Sequence, residues 1–304
     1  MLSAKGLSKS FKHFKALDDL SFDINKGQVY GFLGQNGAGK STTMRLLLGL
    51  IFPDAGSVYI SGQLLSKNNR NLLKNVGAII ERPDLYGYLS GRDNLKIFAL
   101  LSHANLKSTR LDEVFEIVGL KGRENDLVSS YSQGMKQRLG LAIAIVHNPD
   151  ILILDEPTNG LDPQGIADMR ALIRSLNADH NKTILISSHL IYEIEQVASS
   201  MLIIHKGKKL IEGNVKQLLN ANDTLTNFQI QSDAHLLAAL NNSTWAPFLQ
   251  ASTTESLSFK MDPEKIPSLN NWLVANKVAV KSINSIHSLE QYFLNITHDS
   301  TAKN

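Results

Sequence analysis

Residues 34–42 carry the stretch Gly34-Gln35-Asn36-Gly37-Ala38-Gly39-Lys40-Ser41-Thr42. This stretch fits the pattern G-x-x-x-x-G-K-[ST] of a phosphate-binding loop. An apolar run from Val29 to Leu33 precedes it and predicts a buried strand, and helix-forming residues from Thr43 to Leu48 follow it. A phosphate-binding loop needs this position between a strand and a helix, so the sequence predicts a nucleotide site here, with all nine residues as candidate contacts.

The loop's composition explains how it would bind phosphate. Its three glycines let the backbone turn tightly and bring N–H groups close to phosphate oxygens. The helix that follows directs its positive N-terminus at the same oxygens. Lys40 adds a mobile charge for the β- and γ-phosphates, the Ser41 hydroxyl can ligate Mg²⁺, and Thr42 would reach the α-phosphate side. A glycine-rich turn with a chance Lys-Ser pair is the alternative, and the strand–helix context argues against it.

Composition sets outer limits on the function. The 304 residues allow one large or two modest domains. With 43% hydrophobic and 19% charged residues, the chain is typical of globular proteins. The net charge of +3 neither demands nor excludes nucleic acid, and the lack of cysteine excludes disulfides and thiolate metal sites. No apolar run is long enough to span a membrane, so we expect that a role at a membrane needs a second chain.

Apolar strands alternate with a helical segment in the middle of the chain. Ile151 to Leu154 predicts a buried strand that ends at the acidic pair Asp155-Glu156, and Thr183 to Ser187 predicts another that ends at His189. A helix is predicted between them, from Ile166 to Ala178. This order predicts an α/β fold with a mostly parallel sheet. Ligands bind at the carboxyl ends of such strands, so these motifs should meet at one edge.

Other segments predict an antiparallel edge, a helical region and a second domain. Strands are predicted from Leu2 to Asp23 and from Ser57 to Gly62, and the pattern is helical from Ser90 to Val146. After Gly213 the order reads βαββαβα, the split-βαβ arrangement with a final helix. Its predicted strands are Leu225–Gln231, Trp245–Leu249, Leu257–Met261 and Val278–Ile283, and its predicted helices are Ala234–Asn241, Ile266–Asn276 and Ser288–Ile296.

The acidic pair has the residue types that phosphoryl transfer requires. Asp155 follows four buried aliphatic residues, which suits a carboxylate that positions Mg²⁺. Glu156 beside it can orient and deprotonate the attacking water. An acidic strand end without a chemical role is the alternative, and the upstream phosphate-binding loop argues against it.

The order of these motifs resembles that of the ATP-binding-cassette ATPases over roughly Leu2 to Gly213. The family's signature stretch, usually L-S-G-G-Q, is matched at Ser132 and Gly134 within Tyr131-Ser132-Gln133-Gly134-Met135-Lys136-Gln137-Arg138. The resemblance implies that this segment opens a helix whose N-terminus binds the γ-phosphate held by the other subunit of a dimer. Met135 departs from the pattern, because it cannot donate the hydrogen bonds of a glutamine.

Three further positions resemble family motifs. Asp162, in Gly160-Leu161-Asp162, resembles the acidic residue of the D-loop, which communicates across the dimer. His189 resembles the switch histidine that contacts the γ-phosphate and the water held by the catalytic glutamate. Phe11 resembles the aromatic residue that stacks on adenine, and Phe14 is a nearby alternative.

Glu81 stands where the family usually has a glutamine that senses Mg²⁺ and the attacking water. A carboxylate can ligate Mg²⁺, but it cannot donate a hydrogen bond when ionised. This glutamate, together with Tyr86, the stretch from Gly91 to Leu95 and the Ser-x-Gly-Met-Lys-Gln-Arg form of the signature, is similar to one branch of the family. That branch includes the bacitracin-resistance and lantibiotic-immunity exporters.

The resemblance implies a particular domain plan. Residues 1–213 would form an α/β P-loop NTPase core with a mostly parallel sheet, an antiparallel β edge and a helical subdomain at about 86–146. Residues 214–304 would form a small α+β accessory domain, for which the split-βαβ order indicates a ferredoxin-like fold.

The resemblance also implies an activity and partners. The chain would bind and hydrolyse ATP with Mg²⁺, pair as a homodimer or with a second cassette, and power an integral membrane permease that exports an antibiotic, peptide or lipid-like molecule. It would lie in the cytoplasm, peripheral on the membrane's cytoplasmic face, with no nucleic acid expected. Two alternatives stay open: a soluble family member that acts on ribosomes or DNA, and a nucleotide-responsive binding subunit with little hydrolysis.

Overall fold

The computed structural model describes residues 1–81, 83–102, 108–219, 224–231 and 234–287. The chain divides into two compact units, Met1–Val215 and Lys216–Asn304. Within the described residues, no helix combines the length and the apolar composition that a membrane span requires.

The first unit contains two sheets and most of the helices. Its strands are β1 (Leu2–Phe11), β2 (Phe14–Ile24), β3 (Val29–Leu33), β4 (Ala55–Ile60), β5 (Gln63–Leu64), β6 (Val76–Ile79), β7 (Ile151–Asp155), β8 (Thr183–Ser188), β9 (Ser200–His205) and β10 (Lys208–Asn214). The helices along residues 40–218 are α1 (Lys40–Leu47), α2 (Gly91–Leu101), α3 (Ser108–Ile117), α4 (Gln133–Ile145), α5 (Pro163–Ala178), α6 (Ile191–Val197) and α7 (Val215–Leu218).

The larger sheet has six strands in the order β10-β9-β3-β8-β7-β6. All its neighbours pair in parallel except β10, which pairs with β9 in the antiparallel sense. Every residue of β3, β7 and β8 is buried, as expected where helices cover both faces of a parallel sheet. The predicted α/β fold with a mostly parallel sheet is therefore confirmed. The carboxyl ends of these three adjacent strands lie side by side.

The smaller sheet is antiparallel, with the order β2-β1-β4-β5. Its apolar face shares one core with the larger sheet and with α1. Leu7 and Leu20 from the smaller sheet, Phe32 and Leu185 from the larger one, and Met44 from α1 belong to this buried cluster. The shared core fixes α1 and the loop before it.

The helical region consists of α2, α3 and α4, which pack around buried residues such as Leu95, Phe115 and Leu139. Helix α4 also lies directly against β6. A Cβ atom added at Gly77 of β6 would lie only 2.0 Å from the carbonyl oxygen of Ala144 in α4. Glycine is therefore needed at Gly77 for this close approach.

Helix α5 begins at Pro163, three residues before the predicted start at Ile166. The Asp162 carboxylate caps it by accepting a hydrogen bond from the Gly165 N–H at 3.0 Å. Proline fits the first turn, because its missing N–H would have no partner there. The helix therefore begins at its cap and its proline, three residues before the first apolar residue of the pattern, Ile166.

In the part of it that the structure describes, the second unit has one antiparallel sheet and two helices that lie wholly within it. In chain order its elements are β11 (Thr224–Gln231), α8 (Ala234–Asn241), β12 (Leu249–Ser252), β13 (Ser256–Lys260), α9 (Ile266–Ala275) and β14 (Ala279–His287). The strand order is β12-β13-β11-β14, which is the split-βαβ arrangement. Phe228 and Phe259 meet edge to face in its core, with ring centroids 5.7 Å apart.

One predicted strand of this unit is wrong. Residues Ala246–Phe248 form a 3₁₀ turn within the predicted strand Trp245–Leu249, and β12 begins only at Leu249. Pro247 explains the difference, because it has no N–H to donate to a strand ladder. The predicted helix Ser288–Ile296 lies outside the described residues.

We predict that Gly77→Ala destabilises the first unit by about 1–3 kcal/mol, because the new methyl group would overlap the backbone of α4. Chemical denaturation followed by fluorescence or circular dichroism would measure this loss. Gly87→Ala is the matched control, since a Cβ at Gly87 would meet nothing closer than 3.9 Å. Equal stability of the two variants would contradict the tight β6–α4 contact.

Candidate functional site

The loop between β3 and α1 has a backbone that only glycine adopts readily. Gly37 and Gly39 have φ values of +80° and +113°. A Cβ at Gly39 would also lie 2.9 Å from the Ala16 carbonyl oxygen. The Gly34 N–H donates a hydrogen bond to the Ser188 carbonyl at 3.2 Å, which ties the start of the loop to the end of β8.

A cavity of about 440 Å³ opens beside this loop. That volume is within the range of small-molecule sites. The residues that line it come from the loop, from β2 and from the segments after β7 and β8. They are Phe14, Ala16, Gln35, Asn36, Gly37, Gly39, Lys40, Ser41, Thr42, Glu156, Asn159 and His189. The structure thus brings together the three motifs that the sequence placed at one sheet edge.

Lys40 connects the loop to the acidic pair. Its side chain is only 6% exposed, and its Nζ donates hydrogen bonds to the carbonyls of Gly34 at 2.6 Å and Gln35 at 3.3 Å. The same Nζ lies 3.1 Å from Glu156 Oε1. The ammonium group is therefore held where phosphate oxygens would approach the loop.

Ser41 and Asp155 form a pair of oxygen donors at the base of the cavity. The Ser41 hydroxyl donates to Asp155 Oδ2 at 2.8 Å, and Asp155 is 2% exposed. A hydroxyl beside a carboxylate fits Mg²⁺, which takes oxygen ligands and completes its shell with phosphates and water. The described residues contain no cluster of three or more His, Cys, Asp or Glu side chains that could hold a metal ion.

Glu156 and His189 are in contact and form the candidate reactive pair of the site. His189 Nδ1 lies 2.7 Å from Glu156 Oε2. Glu156 Oε1 is buried and lies 3.1 Å from Lys40 Nζ, so the Glu156 carboxylate contacts both Lys40 and His189. The Glu156 backbone has φ of +49°, a left-handed value that is strained for a residue with a side chain.

Ser187 is a contributor that the sequence analysis missed. Its hydroxyl donates to Asp155 Oδ1 and accepts a hydrogen bond from the Glu156 N–H at 2.9 Å. It thereby fixes the strained turn between the two carboxylates. The available signal was a pair of hydroxyl residues, Ser187 and Ser188, at the end of an otherwise aliphatic buried strand.

The two aromatic candidates occupy different places. Phe14 lines the cavity beside Ala16. Phe11 lies opposite Phe14 across the β1–β2 hairpin, and the Lys9 ammonium lies 5.8 Å from its ring centroid. Phe11 does not line the cavity, and the contact of either ring with a base stays a prediction.

Glu81 lies outside this cavity in the part of the chain that the structure describes. Its carboxylate pairs with the guanidinium of Arg45 in α1, and its side chain is 63% exposed. The expected contact of Glu81 with Mg²⁺ stays a prediction. Arg45 can pair with Glu81 because this part of α1 lies close to the residues after β6.

Ser132, Gly134 and Asp162 also lie outside the cavity, at the N-termini of two helices. The Ser132 hydroxyl caps α4 by accepting a hydrogen bond from the Met135 N–H at 3.2 Å. Asp162 caps α5 in the same way. Ser132 is exposed, and Gly134 in the first turn of α4 is partly exposed. The first turn of α4 can therefore be approached by a second molecule.

Comparisons with known proteins agree with this geometry. A sequence model described as ABC transporter matches residues 17–159. The bacitracin transport ATP-binding protein BcrA of Bacillus licheniformis is 40% identical over 302 residues, which cover 99% of this chain and 98% of BcrA. The lantibiotic transport ATP-binding protein SrtF of Streptococcus pyogenes is 39% identical over 226 residues, which cover 72% of this chain and 96% of SrtF.

A solved structure described as the ATP binding subunit of an ABC transporter resembles the fold. It aligns with a TM-score of 0.63 at 28% identity and covers 72% of this chain and 91% of that chain. BcrA is thus similar to this chain over nearly its whole sequence. The structure adds a phosphate-binding loop, an acidic pair and a histidine that meet at one cavity. The chain therefore belongs to the ABC transporter family, as one of its ATP-binding ATPase subunits.

Proposed function

We propose that this chain hydrolyses ATP to power a separate membrane permease, and that the transporter exports an antibiotic, peptide or lipid-like molecule. The observation that carries the proposal is the cavity in which Lys40, Glu156 and His189 meet. The names of BcrA and SrtF, which refer to bacitracin and lantibiotic transport, support the substrate class.

In this proposal each side chain of the cavity has one task. Lys40 binds the β- and γ-phosphates, and the N–H groups of the loop bind the remaining phosphate oxygens. Glu156 accepts a proton from the attacking water, and His189 holds Glu156 and contacts the γ-phosphate. Mg²⁺ held by Ser41 and Asp155 would neutralise charge on the phosphates. Phe14 would stack on adenine, since stacking needs only an aromatic face.

The helix N-termini outside the cavity suit a second cassette. The first turn of α4 would bind the γ-phosphate of an ATP molecule held by the other subunit, through the Ser132 hydroxyl and the Gly134 N–H. Asp162 would lie near the same junction. ATP would then join the two subunits, and hydrolysis would remove the contacts that keep them together. The pair is a homodimer or includes a different cassette.

The helical region offers a surface for the permease. Several large apolar side chains on and around it are exposed: Tyr86, Tyr88, Leu100, Leu101 and Leu127. Exposed apolar groups of this size favour an interface with another protein. Docking of a short helix from the permease would place this chain at the cytoplasmic face of the membrane.

We predict that Glu156→Gln lowers steady-state ATP hydrolysis by roughly a hundredfold or more, because the amide cannot accept the proton of water. The variant should still bind ATP and accumulate as a dimer with ATP in size-exclusion chromatography. Glu195→Gln, at an exposed position on α6, is the matched control and should hydrolyse ATP normally. Hydrolysis by Glu156→Gln at the wild-type rate would show that another group is the base.

We also predict that Phe14→Ala weakens ATP binding by roughly tenfold, whereas Phe11→Ala has little effect, because only Phe14 lines the cavity. Titration with a fluorescent ATP analogue would measure both affinities. Titration with inorganic triphosphate is the control, since it lacks the base and should bind both variants alike. A larger loss in Phe11→Ala would return the adenine contact to that residue.

Purification of this chain from solubilised membranes of its own host tests the transport proposal. We expect a polytopic membrane protein to copurify with it in roughly equal amounts, because the exposed apolar side chains of the helical region favour an interface with another protein. Mass spectrometry would identify that protein. Recovery only with ribosomes or DNA would instead support the non-transport class while leaving the ATP site intact.

A further inference from the structure

A buried carboxylate next to the site has no task in the chemistry described above. Glu193 lies in the first turn of α6 and is 7% exposed. Its Oε2 atom accepts two hydrogen bonds, from the Thr158 hydroxyl at 2.8 Å and from the Ser188 hydroxyl at 2.7 Å. Glu193 does not line the cavity, so it would not touch the nucleotide.

The two donors come from the segments that carry the reactive pair. Thr158 lies two residues after Glu156, and Ser188 lies directly before His189. One carboxylate oxygen therefore joins the chain after β7 to the end of β8. These are the two segments whose separation sets the distance of 2.7 Å between His189 Nδ1 and Glu156 Oε2.

Ser188 extends this connection to two further elements. Its hydroxyl accepts a hydrogen bond from the Leu190 N–H at 3.0 Å, just before α6 begins. Its carbonyl accepts the hydrogen bond from the Gly34 N–H of the phosphate-binding loop. A shift of Ser188 would therefore disturb the backbone directly after His189 and the start of the phosphate-binding loop.

Stability alone is a poor reason for a carboxylate at this position. Burial of a carboxyl group is costly unless it is hydrogen-bonded, and an apolar side chain at this position of α6 would avoid that cost. Its two bonding partners, the Thr158 and Ser188 hydroxyls, are neutral. A single oxygen that accepts both hydrogen bonds suits the task of holding two segments in fixed positions, however.

We propose that Glu193 is a positioning residue for ATP hydrolysis, which holds Thr158 and Ser188 so that His189 and Glu156 stay in contact. This inference rests on the catalytic roles proposed above for Glu156 and His189. Glu193 acts on the turnover step more than on nucleotide binding, because its hydrogen bonds go to the segments that carry the reactive pair and it does not line the cavity.

Steady-state ATPase kinetics of the whole chain test the proposal. We expect Glu193→Ala to lower kcat by roughly ten- to a hundredfold, since small displacements of reacting groups have effects of this size, with KM for ATP changed less than about threefold. Glu193→Gln keeps an oxygen that accepts both hydroxyl hydrogen bonds and should restore most of the rate. Glu195→Ala, on the same helix but exposed, is the control and should match the wild type.

The same substitution in a His189→Ala background separates positioning from general destabilisation. If Glu193 acts through His189, Glu193→Ala should have little further effect once the imidazole is absent. An equal fold-loss of kcat in both backgrounds, or a wild-type kcat in Glu193→Ala, would overturn the proposal. Thr158→Val and Ser188→Ala remove one donor each and should reproduce the kcat loss in part. If Glu193→Ala does not fold, these two variants test the proposal instead, and wild-type kcat in both would overturn it. Absence of hydrolysis by the wild type would overturn the proposed function first.

Discussion

Parallel pairing of β3, β8 and β7 is the constraint on which the site depends. Each strand ends in a different chemical segment: the phosphate-binding loop, His189 and the pair Asp155-Glu156. Parallel strands that are neighbours must end at the same edge, so the backbone hydrogen bonds of the sheet bring these segments within reach of one another. The side chains then need only short bonds, such as those from Ser41 to Asp155 and from His189 to Glu156, to complete the cavity.

The sequence was sufficient for the parts of the site that depend on local pattern. The glycines of the loop permit its positive φ angles, and the short aliphatic runs before Asp155 and Ser187 indicated the buried strands that the structure shows. Parts that depend on tertiary contacts were not predictable. The orientation of Glu81 depends on Arg45, which lies 36 residues earlier in the chain. The choice between Phe11 and Phe14 depends on which strand of a hairpin faces the loop, and both strands carry an aromatic residue.

Hydroxyl groups account for much of the order around the reactive carboxylates. Ser187 fixes Asp155 and the strained backbone of Glu156, and Ser188 with Thr158 joins Glu193. Serine and threonine carry weak individual signals in a sequence, because most of them lie at surfaces. They become informative when they end an apolar strand, since a buried hydroxyl must find a partner.

The ion pair between Lys40 and Glu156 has a consequence for the order of events in a catalytic cycle. The ammonium group lies 3.1 Å from the carboxylate and balances its charge. Phosphates compete for the same ammonium group with several negative charges. In the proposed cycle, arrival of ATP would therefore draw Lys40 away and leave Glu156 open to water, so that the substrate itself would uncover the group that acts on it.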